Sequence, residues 1–455
     1  MERSDKRMIF QLGTNNWQTQ NSSAPGSGIM HEALHVTCNG MENTSSWSIW
    51  PSRTQYSEGP DHEVFKLDHD IPICESVSPV SSYRWHTMPE EDFLAYRKRL
   101  GDSVYDFMER CEATTGQNFT HALAHHCFLN PIVMKDVLAR RRSAGKPELA
   151  LGVFIHGTAM KMFEHELDGN NPAEFPLRFY PLIQKEQIFV SNGPVHVVFT
   201  TSQQQVATFH TIFPEYPEKQ IVCYPNGINH HVFGYKPSLT RREVLSTFCT
   251  TPYEGSSVRV PGDFDKVVTF VGKFADVKRL DCLLSAAVAY EAWGSKQGKK
   301  VATIICGTGP VDVQKEYHDM AKAKGLAHAY FLGHKTHMQL AQIYNVSDLG
   351  VFPTWKEAFG LVFIECMACR TPVIGADSGG PKDFVTPEVG MLVPEVSSID
   401  MKEEFTAGLS AGIIKALEED WKASKGAACE KLALEKYSLK KQCNRILDAL
   451  DGSFI

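Results

Sequence analysis

The second half of the chain alternates short apolar runs with segments of helical periodicity, and this alternation restricts the possible folds more than any other feature. Six apolar runs take part: VVTFVG (267–272), VATIICG (301–307), AYFLG (329–333), LGVFP (349–353), PVIGA (372–376) and GMLVP (390–394). Runs without polar alternation indicate strands buried on both faces, and helices between such strands are typical of a parallel sheet. We therefore predict a doubly wound, Rossmann-like α/β domain in this half.

The first half shows the same alternation with more interruptions. Its apolar runs are MIFQLG (8–13), LALGVFIHG (149–157), VHVVFTT (195–201) and QIVCY (220–224). A loop with Gly26 and Gly28 separates the first run from a helix that we expect to begin at Ile29. Residues 39–65 are polar and rich in Ser and Asn, and we expect exposed loop there. This half is predicted to be a second, embellished Rossmann-like domain.

Turn-forming residues separate the two halves. Pro225, Asn226 and Gly227 follow the last apolar run of the first half, and residues of this kind commonly end strands. We predict an N-terminal domain over residues 1–234 and a C-terminal domain over residues 235–430. Apolar residues at helical spacing predict a closing helix over residues 431–455, packed back on the N-terminal domain.

Composition excludes several classes of protein. The 455 residues include 46 Lys and Arg against 53 Asp and Glu, a net charge of −7 that argues against binding nucleic acid through its phosphates. No apolar run reaches the ~20 residues of a membrane span, and the polar start lacks the apolar core of a secretory signal. We expect a cytoplasmic protein whose 12 cysteines are reduced, with Cys366 and Cys369 buried for packing.

The segment PTWKEAFGLVFIECMA (353–368) is the strongest candidate for ligand binding. Glu357 lies in the loop after an apolar run, Gly360 opens a helix, and Glu365 lies inside that helix. Free amides at Gly360, Leu361 and Val362 would attract phosphate, and carboxylates accept hydrogen bonds from sugar hydroxyls. The segment suits a sugar nucleotide, although the spacing alone also fits two solvated helix charges.

A second candidate segment, VGKFADVKRLD (271–281), supplies positive charge. Gly272, Lys273 and Lys278 come just after an apolar run, where two cations could neutralise a diphosphate and stabilise it as a leaving group. Surface lysines are common, so these residues gain weight only from their position at the end of a strand.

These segments, with ICGTGP, GMLVP and the linker PNGINHHVF, occur in the order and spacing of the donor domain of GT-B retaining glycosyltransferases of family 4. The chain resembles that family over residues 222–395, and Glu357 and Glu365 match its paired-glutamate motif. The first half is similar only through its glycine loop, through the adjacent pair His125 and His126, and through IHGT at 155–158.

The resemblance implies two Rossmann-like domains facing across a cleft, with a C-terminal crossover helix. It implies that Lys278 contacts the donor diphosphate, Glu365 the ribose and Glu357 the transferred sugar, with His156 beneath the anomeric centre. The predicted catalytic set is Lys273, Lys278, Glu357 and His156. The predicted donor-binding set is Gly26, Gly28, Gly272, Phe359, Gly360, Leu361, Val362 and Glu365. His125 and His126 are predicted to line the acceptor side.

Three positions depart from the family pattern. Lys273 stands where Arg is usual, which keeps the charge but loses bidentate phosphate geometry. Arg279 stands where Gly is common, and Asp383 stands where Glu is usual.

The predicted reaction moves a hexosyl group from a nucleoside diphosphate sugar to a hydroxyl acceptor, with retention of configuration. It uses no metal or cofactor, and UDP-glucose is the default donor. Residues 1–235 hold 19 Lys and Arg against 26 Asp and Glu, a balance of −7. This charge should repel anionic lipid surfaces, so we expect a soluble small-molecule or sugar acceptor. The sequence does not predict the oligomeric state.

Other functions stay open at this point. His31, Glu32 and His35 form an HExxH motif, which on a helix is typical of a zinc hydrolase. A non-catalytic nucleotide-sugar-binding protein, an epimerase or a phosphorylase would share the fold. D-x-D patterns at 68–70 and 263–265 resemble metal-nucleotide motifs, but we predict that neither binds a metal, since the second precedes its strand.

Overall fold

The computed structural model describes residues 6–14, 17, 26–52, 59–67, 90–126, 129–156, 195–224, 226–251 and 256–452. The chain forms two compact units. The first unit is Met1–Asn226 together with Leu439–Ile455, and the second unit is Gly227–Ser438.

The first unit is built on a seven-stranded parallel sheet in the order β3-β2-β1-β4-β5-β6-β7. Its strands are β1 (Arg7–Leu12), β2 (Thr44–Ser52), β3 (His62–Lys66), β4 (His121–His125), β5 (Ala150–Ile155), β6 (Val197–Thr200) and β7 (Ile221–Cys223). The helices between them are α1 (Gly26–Asn39), α2 (Glu90–Thr115), α3 (Leu129–Ser143) and α4 (Gln203–Ile212). Strands β4 and β5 are buried along their whole length, as a sheet covered on both faces requires.

The expectation of exposed loop over residues 39–65 is wrong, because this range contains β2 and most of β3. Ser46 and Ser48 of β2 are fully buried. The Gln11 side chain donates to Ser46 Oγ at 2.8 Å, and Ser48 Oγ lies 2.9 Å from His35 Nδ1. A buried serine is tolerated when its hydroxyl has a partner. The serine-rich composition therefore conceals an interior strand.

The second unit contains a six-stranded parallel sheet in the order β10-β9-β8-β11-β12-β13. Its strands are β8 (Lys266–Val271), β9 (Val301–Cys306), β10 (Ala329–Gly333), β11 (Leu349–Phe352), β12 (Val373–Ala376) and β13 (Gly390–Val393). Its helices are α5 (Arg241–Leu245), α6 (Leu280–Lys296), α7 (Val311–Ala323), α8 (His337–Val346), α9 (Leu361–Ala368), α10 (Lys402–Glu418) and α11 (Trp421–Tyr437). All six predicted apolar runs coincide with strands, and the predicted pair of Rossmann-like sheets is confirmed.

The last helix, α12 (Leu439–Gly452), belongs to the first unit. Ser438 is extended and separates it from α11. Cys443, Ile446 and Leu450 are fully buried in a cluster with residues of the first sheet. At its end, Asp451 binds Arg7 and His121 of that unit at 2.5 and 3.1 Å. The first unit is thus completed by a segment that follows the whole second unit.

Two remaining expectations concern membranes and thiols. In the described ranges we find no helix with the length and apolar character needed to cross a membrane. Cys366 and Cys369 are free thiols with no exposed surface, which agrees with a packing role for the pair.

Candidate functional site

The residues predicted to bind the donor follow the two strands at which the order of the second sheet reverses. Gly272 and Lys278 come after β8, and Glu357 and Gly360 come after its neighbour β11. In open parallel sheets, ligands bind beyond the carboxyl ends of the strands at this point of reversal. The fold therefore brings the two segments, separate in sequence, to one edge of one sheet.

Lys278 and Glu357 form an ion pair at this edge, with Nζ 2.6 Å from Oε2. The other carboxylate oxygen, Oε1, accepts a hydrogen bond from the amide of Ala358 at 3.1 Å. The two loops are also joined through their backbones, because the Trp355 amide donates to the carbonyl of Val277 at 2.7 Å. Both charged side chains keep some exposed surface, 28% and 14%, so a ligand can reach them.

A pair of glycines fixes the backbone of Glu357. The Gly380 amide donates to the Glu357 carbonyl at 2.8 Å. Gly379 has a φ of +71°, and a Cβ on it would lie 1.9 Å from the same carbonyl oxygen. Only glycine meets both conditions. The position of the Glu357 carboxylate therefore depends on residues more than twenty positions further along the chain.

Helix α9 begins at Leu361 without a capping side chain. Gly360 precedes it with a φ of +97°, and a Cβ there would lie 2.7 Å from the Phe363 ring. Amides in the first turn of a helix have no partner within the helix. Those of Leu361 and Val362 are therefore available to a ligand or to water, and the helix dipole favours an anion there by about 0.3–1 kcal/mol.

The loop after β8 is held against the loop after β9. The Gly272 amide donates to the Cys306 carbonyl at 3.0 Å, and a Cβ on Gly307 would lie 1.8 Å from the Gly272 carbonyl oxygen. Lys273 is exposed, so an anion can reach its ammonium group. The Phe359 side chain is buried against Phe384, which leaves only its backbone for a ligand.

Glu365 lies inside α9, and its side chain is buried. Burial raises the pKa of this carboxyl to about 8. Among the residues that the structure describes, no group donates a hydrogen bond to it. Glu365 keeps 8% of its surface exposed, so hydroxyl groups of a ligand can donate hydrogen bonds to its carboxyl oxygens.

Arg279 is a residue of this edge to which sequence reasoning assigned no role. It is fully buried with a φ of +50°, and its guanidinium lies 4.6 Å from the ring centroid of Trp355 and 4.4 Å from that of Phe405. Its Nη1 donates to Glu395 at 2.8 Å, and Glu395 also accepts from Ser378. Arg279 therefore links the loops after β8, β11, β12 and β13. Its departure from the family glycine was the available signal.

In the first unit, His125 and His156 lie at the ends of β4 and β5 and are hydrogen-bonded, Nδ1 to Nε2, at 3.1 Å. His125 Nε2 lies 3.0 Å from Gln11 Oε1. Because an amide oxygen only accepts, His125 carries its proton on Nε2, and His156 must donate from its own Nε2. Burial lowers the pKa of both rings well below 6.5, so both are neutral and His156 Nδ1 is an acceptor.

His126 is strained and unpaired. Its φ is +70°, and among the described residues neither of its ring nitrogens has a hydrogen-bond partner. Burial lowers its pKa to about 4, and its ring centroid lies 4.8 Å from that of His156. His125, His126 and His156 thus form one uncharged group.

The predicted glycine loop is shorter than expected, because α1 begins at Gly26 and not at Ile29. Gly26 and Gly28 lie in the first turn of this helix, and Gly28 is buried. Amides in the first turn of a helix have no partner within the helix, so this turn can offer donors to a ligand. The segment IHGT is described only as far as His156.

The HExxH motif gains no support as a metal site. His31 Nδ1 accepts a hydrogen bond from Trp17 Nε1 at 3.1 Å, and its Nε2 lies 3.1 Å from Ser48 Oγ. Both nitrogens of His31 are therefore engaged within the protein. The zinc-hydrolase interpretation of His31, Glu32 and His35 would require these contacts to break.

The D-x-D pattern at 263–265 lies before β8, at the opposite edge of the sheet from Glu357. Asp263 binds Lys300 at 2.7 Å, and Asp265 accepts from the Lys300 amide, also at 2.7 Å. These carboxylates stabilise the entry to the strand. The other pattern, at 68–70, lies outside the described residues.

Part of the chain matches a known protein family. Residues 259–424 match the family model described as glycosyl transferases group 1. One curated relative, the D-inositol 3-phosphate glycosyltransferase of Rhodococcus erythropolis, is 39% identical over 179 residues, which cover 36% of this chain and 39% of the relative. The enzyme of the same name from Corynebacterium diphtheriae is 29% identical over 212 residues, 46% of each chain. The chain thus spans less than half the length of the curated relatives it matches.

Solved structures resemble the whole chain. Sucrose-phosphate synthase from Thermosynechococcus elongatus superposes with a TM-score of 0.66 at 17% identity, covering 99% of both chains. HepE from Anabaena, solved with UDP and glucose, has a TM-score of 0.60 at 15% identity and covers 98% of this chain and 100% of that one. At such identities the likeness shows the fold. The GT-B fold and the resemblance to group 1 glycosyltransferases inferred from the motifs are confirmed.

Proposed function

We propose that this chain, whose residues 259–424 match the glycosyl transferases group 1 family, transfers a hexosyl group from a nucleoside diphosphate sugar to a hydroxyl acceptor. One observation carries the proposal. Lys278, Glu357 and the uncapped start of α9 lie together at the carboxyl edge of the second sheet, where its strand order reverses. Cation, carboxylate and free amides are the groups that diphosphate and sugar require.

The leaving diphosphate is the part of the donor on which charge develops. Lys278 is positioned by its ion pair with Glu357, and the amides of Leu361 and Val362 lie at the start of α9, which has no capping side chain. Each charge-assisted hydrogen bond to the phosphates contributes about 1.5–3 kcal/mol. Lys273, which is exposed, adds a second cation. Two lysines and a helix start supply the charge that a bound metal ion would otherwise bring, so the proposed reaction is independent of metal.

The sugar and the ribose are assigned to the two glutamates. Glu357, neutralised by Lys278 in the free protein, accepts from hydroxyls of the transferred hexose. Glu365, buried and without a donor in the described part of the chain, accepts from the ribose. No carboxylate is assigned as a nucleophile. We propose retention by attack on the same face of the sugar, assisted by the departing phosphate.

The donor and acceptor define the assays. UDP-glucose is the first donor to test, since HepE, which shares the fold, was solved in complex with it. The acceptor is proposed to be a soluble polyol or sugar. Because the relatives are named D-inositol 3-phosphate glycosyltransferases, inositol phosphate belongs in the first panel of acceptors to assay. His156, with Nδ1 as an acceptor, is proposed to contact the hexose near its anomeric carbon. His125 and His126 are proposed to line the acceptor side.

Calorimetric titration with UDP-glucose, UDP, GDP-sugars and ADP-sugars tests the binding assignment. We expect Glu365→Ala to weaken binding of the preferred donor at least tenfold, since one buried acceptor is removed. Glu418→Ala, at an exposed position in α10, is the matched control. Equal affinity in wild type and Glu365→Ala would remove Glu365 from the ribose site.

Single-turnover assays with the acceptor panel test catalysis. A glycosyltransferase releases nucleoside diphosphate in step with glycosylated product, and proton NMR of that product reports its anomeric configuration. Activity should persist after treatment with a chelator. A protein that binds donor but never releases nucleoside diphosphate above slow hydrolysis is a sensor, and that outcome contradicts the proposal.

A further inference from the structure

We propose that His35, Asp61 and His62, in the first unit, form a binding site for a divalent cation of the zinc class. Each residue offers one ligand atom, and the three atoms lie within 4.8 Å of one another. His35 Nε2 is 3.3 Å from Asp61 Oδ2, and His62 Nδ1 is 2.9 Å from Asp61 Oδ1. Two imidazoles and one carboxylate are a donor set that zinc commonly takes.

The distances suit a cation at the centre of the group. Zinc is bound at about 2.0–2.2 Å by imidazole nitrogen and carboxylate oxygen, so neighbouring ligand atoms of a tetrahedron lie about 3.3–3.5 Å apart. The two measured distances run to different oxygens of Asp61, Oδ2 for His35 and Oδ1 for His62. Binding through one oxygen therefore requires the carboxylate to rotate, and the three ligand atoms, which lie within 4.8 Å of one another, to close to tetrahedral distances. Asp61 is 38% exposed and His62 18% exposed, so solvent reaches the site and a cation can enter.

The ligands are supported by residues around them. His35 Nδ1 forms a hydrogen bond with Ser48 Oγ at 2.9 Å. This bond orients the ring so that Nε2 faces Asp61. Asn39 Nδ2 donates to Asp61 Oδ2 at 3.1 Å and also lies 3.1 Å from His35 Nε2, a contact that a bound cation would replace. The Asn39 oxygen accepts from the Ser46 amide at 2.7 Å. Partners that orient the ligand side chains in this way are typical of metal sites.

The backbone also places the ligands. A turn from Gly59 to His62 ends in β3, with the Gly59 amide donating to the His62 carbonyl at 3.0 Å. A Cβ on Gly59 would lie 2.5 Å from the His62 ring, so only glycine lets this ring lie over the turn. The ring also stacks on Trp50, with centroids 5.6 Å apart and planes at 20°. His62 is thus held rigidly beside Asp61.

None of the three ligands is assigned to the proposed transfer chemistry, which uses His125, His126 and His156 in the first unit and Lys278 and Glu357 in the second. The cation site uses only one histidine of the HExxH motif, because His31 is not one of the three residues whose ligand atoms lie within 4.8 Å of one another. A cation here would connect α1, through His35, to the turn that begins β3. Its effect would be to stabilise that turn against the helix.

Zinc titration of the full-length protein, stripped with a chelator, tests the proposal. We expect one equivalent of Zn²⁺ to bind, and Asp61→Asn and His62→Ala to weaken that binding at least tenfold. His334→Ala, an exposed histidine of the second unit, and Cys249→Ser, an exposed thiol, are controls that should not change it. Bound zinc should raise the thermal midpoint of the wild type and leave that of Asp61→Asn unchanged.

Cobalt provides a second measurement that does not depend on the variants folding. Wild-type protein loaded with one equivalent of Co²⁺ should show the intense visible absorption of a four-coordinate site with nitrogen and oxygen ligands. A weak six-coordinate spectrum, or zinc affinity that is the same in wild type and both ligand variants, would show that the three residues form a hydrogen-bonded group only. Either result overturns the proposal without bearing on the transferase function.

Discussion

The carboxyl edges of the two sheets have the same architecture and opposite chemistry. In the first unit the edge carries His125, His126 and His156, whose rings contact one another and are kept neutral by burial. In the second unit it carries charged side chains and the free amides of a helix start. One edge is suited to hydrogen bonds with neutral groups, and the other to an anion. A parallel sheet therefore determines where a ligand binds, while the loop residues determine which one.

The largest expected effect is on catalysis, and it tests the charged edge. Replacing Lys278 by alanine removes the cation paired with Glu357 and the proposed contact to the leaving phosphate. We expect kcat/KM for the donor to fall by about 10²–10³, the usual result of removing one electrostatic contact to developing charge. Steady-state kinetics measures this loss, with Lys415→Ala, at an exposed position of α10, as the control. A loss below threefold would mean that the charged edge does not bind the leaving group.

The next effect is on stability and concerns how the charged edge is built. Arg279→Ala removes the cationic one of three hydrogen-bond donors to Glu395 and empties the space between Trp355 and Phe405. We expect the second unit to lose about 2–4 kcal/mol of unfolding free energy, measured by urea denaturation followed by Trp fluorescence. Arg279→Gly should be less damaging by about 1 kcal/mol, because glycine adopts a φ of +50° without strain. Equal losses would show that the backbone conformation is not strained.

Acid should weaken the first unit more than the second. His126 has a pKa of about 4 in the folded protein, lowered by burial from 6.5. Its contribution to stability is therefore present above pH 6.5 and is lost as the pH falls towards 4, by about 1–3 kcal/mol. His126→Asn, which tolerates a positive φ, should reduce this acid sensitivity, whereas His334→Asn should not. The measurement is the urea midpoint of the first unit at each pH, monitored by hydrogen exchange of the amides in its strands.

Alkali, in contrast, should lower the stability of the second unit. The pKa of Glu365 is raised to about 8 by burial, so its contribution to stability is fully present below pH 4.5 and is lost as the pH rises through 8. Glu365→Gln cannot ionise, and its stability relative to wild type should increase by about 1–2 kcal/mol between pH 5 and pH 9. Thermal unfolding over this range measures the difference. A constant difference would mean that water or a cation already stabilises the carboxylate.

The sequence predicted the second sheet well because its strands are continuous apolar runs bounded by glycine and proline. It failed for β2, where buried serines take their partners from Gln11 and His35, since such partners are distant in sequence. In the candidate site, too, residues marked by a local pattern were predicted and those defined by distant partners were not. Glu357 and Lys278 were found from their positions after strands, whereas the role of Arg279 depends on the rings of Trp355 and Phe405, which no local pattern connects to it.

The HExxH motif suggested one metal ligand, His31, that has other partners, and it gave no indication of Asp61 and His62. Its spacing placed His31 and His35 on one face of α1, but Trp17 and Ser48 engage His31. The partners of His35 in the proposed cation site, Asp61 and His62, lie in a segment that its composition marked as loop. A three-residue site assembled from a helix and a turn leaves no periodic signal in the sequence.

The placement of α12 determines the order in which the units can mature. The second unit is continuous in sequence, so it can fold as soon as Ser438 has left the ribosome. The first unit, although it is synthesised earlier, lacks Ile446, Leu447 and Leu450 until residues 439–452 emerge. Its apolar surface beside β4 and β5 must stay uncovered during that interval. The earlier-made half of this chain thus cannot complete its core until the later-made half has been synthesised.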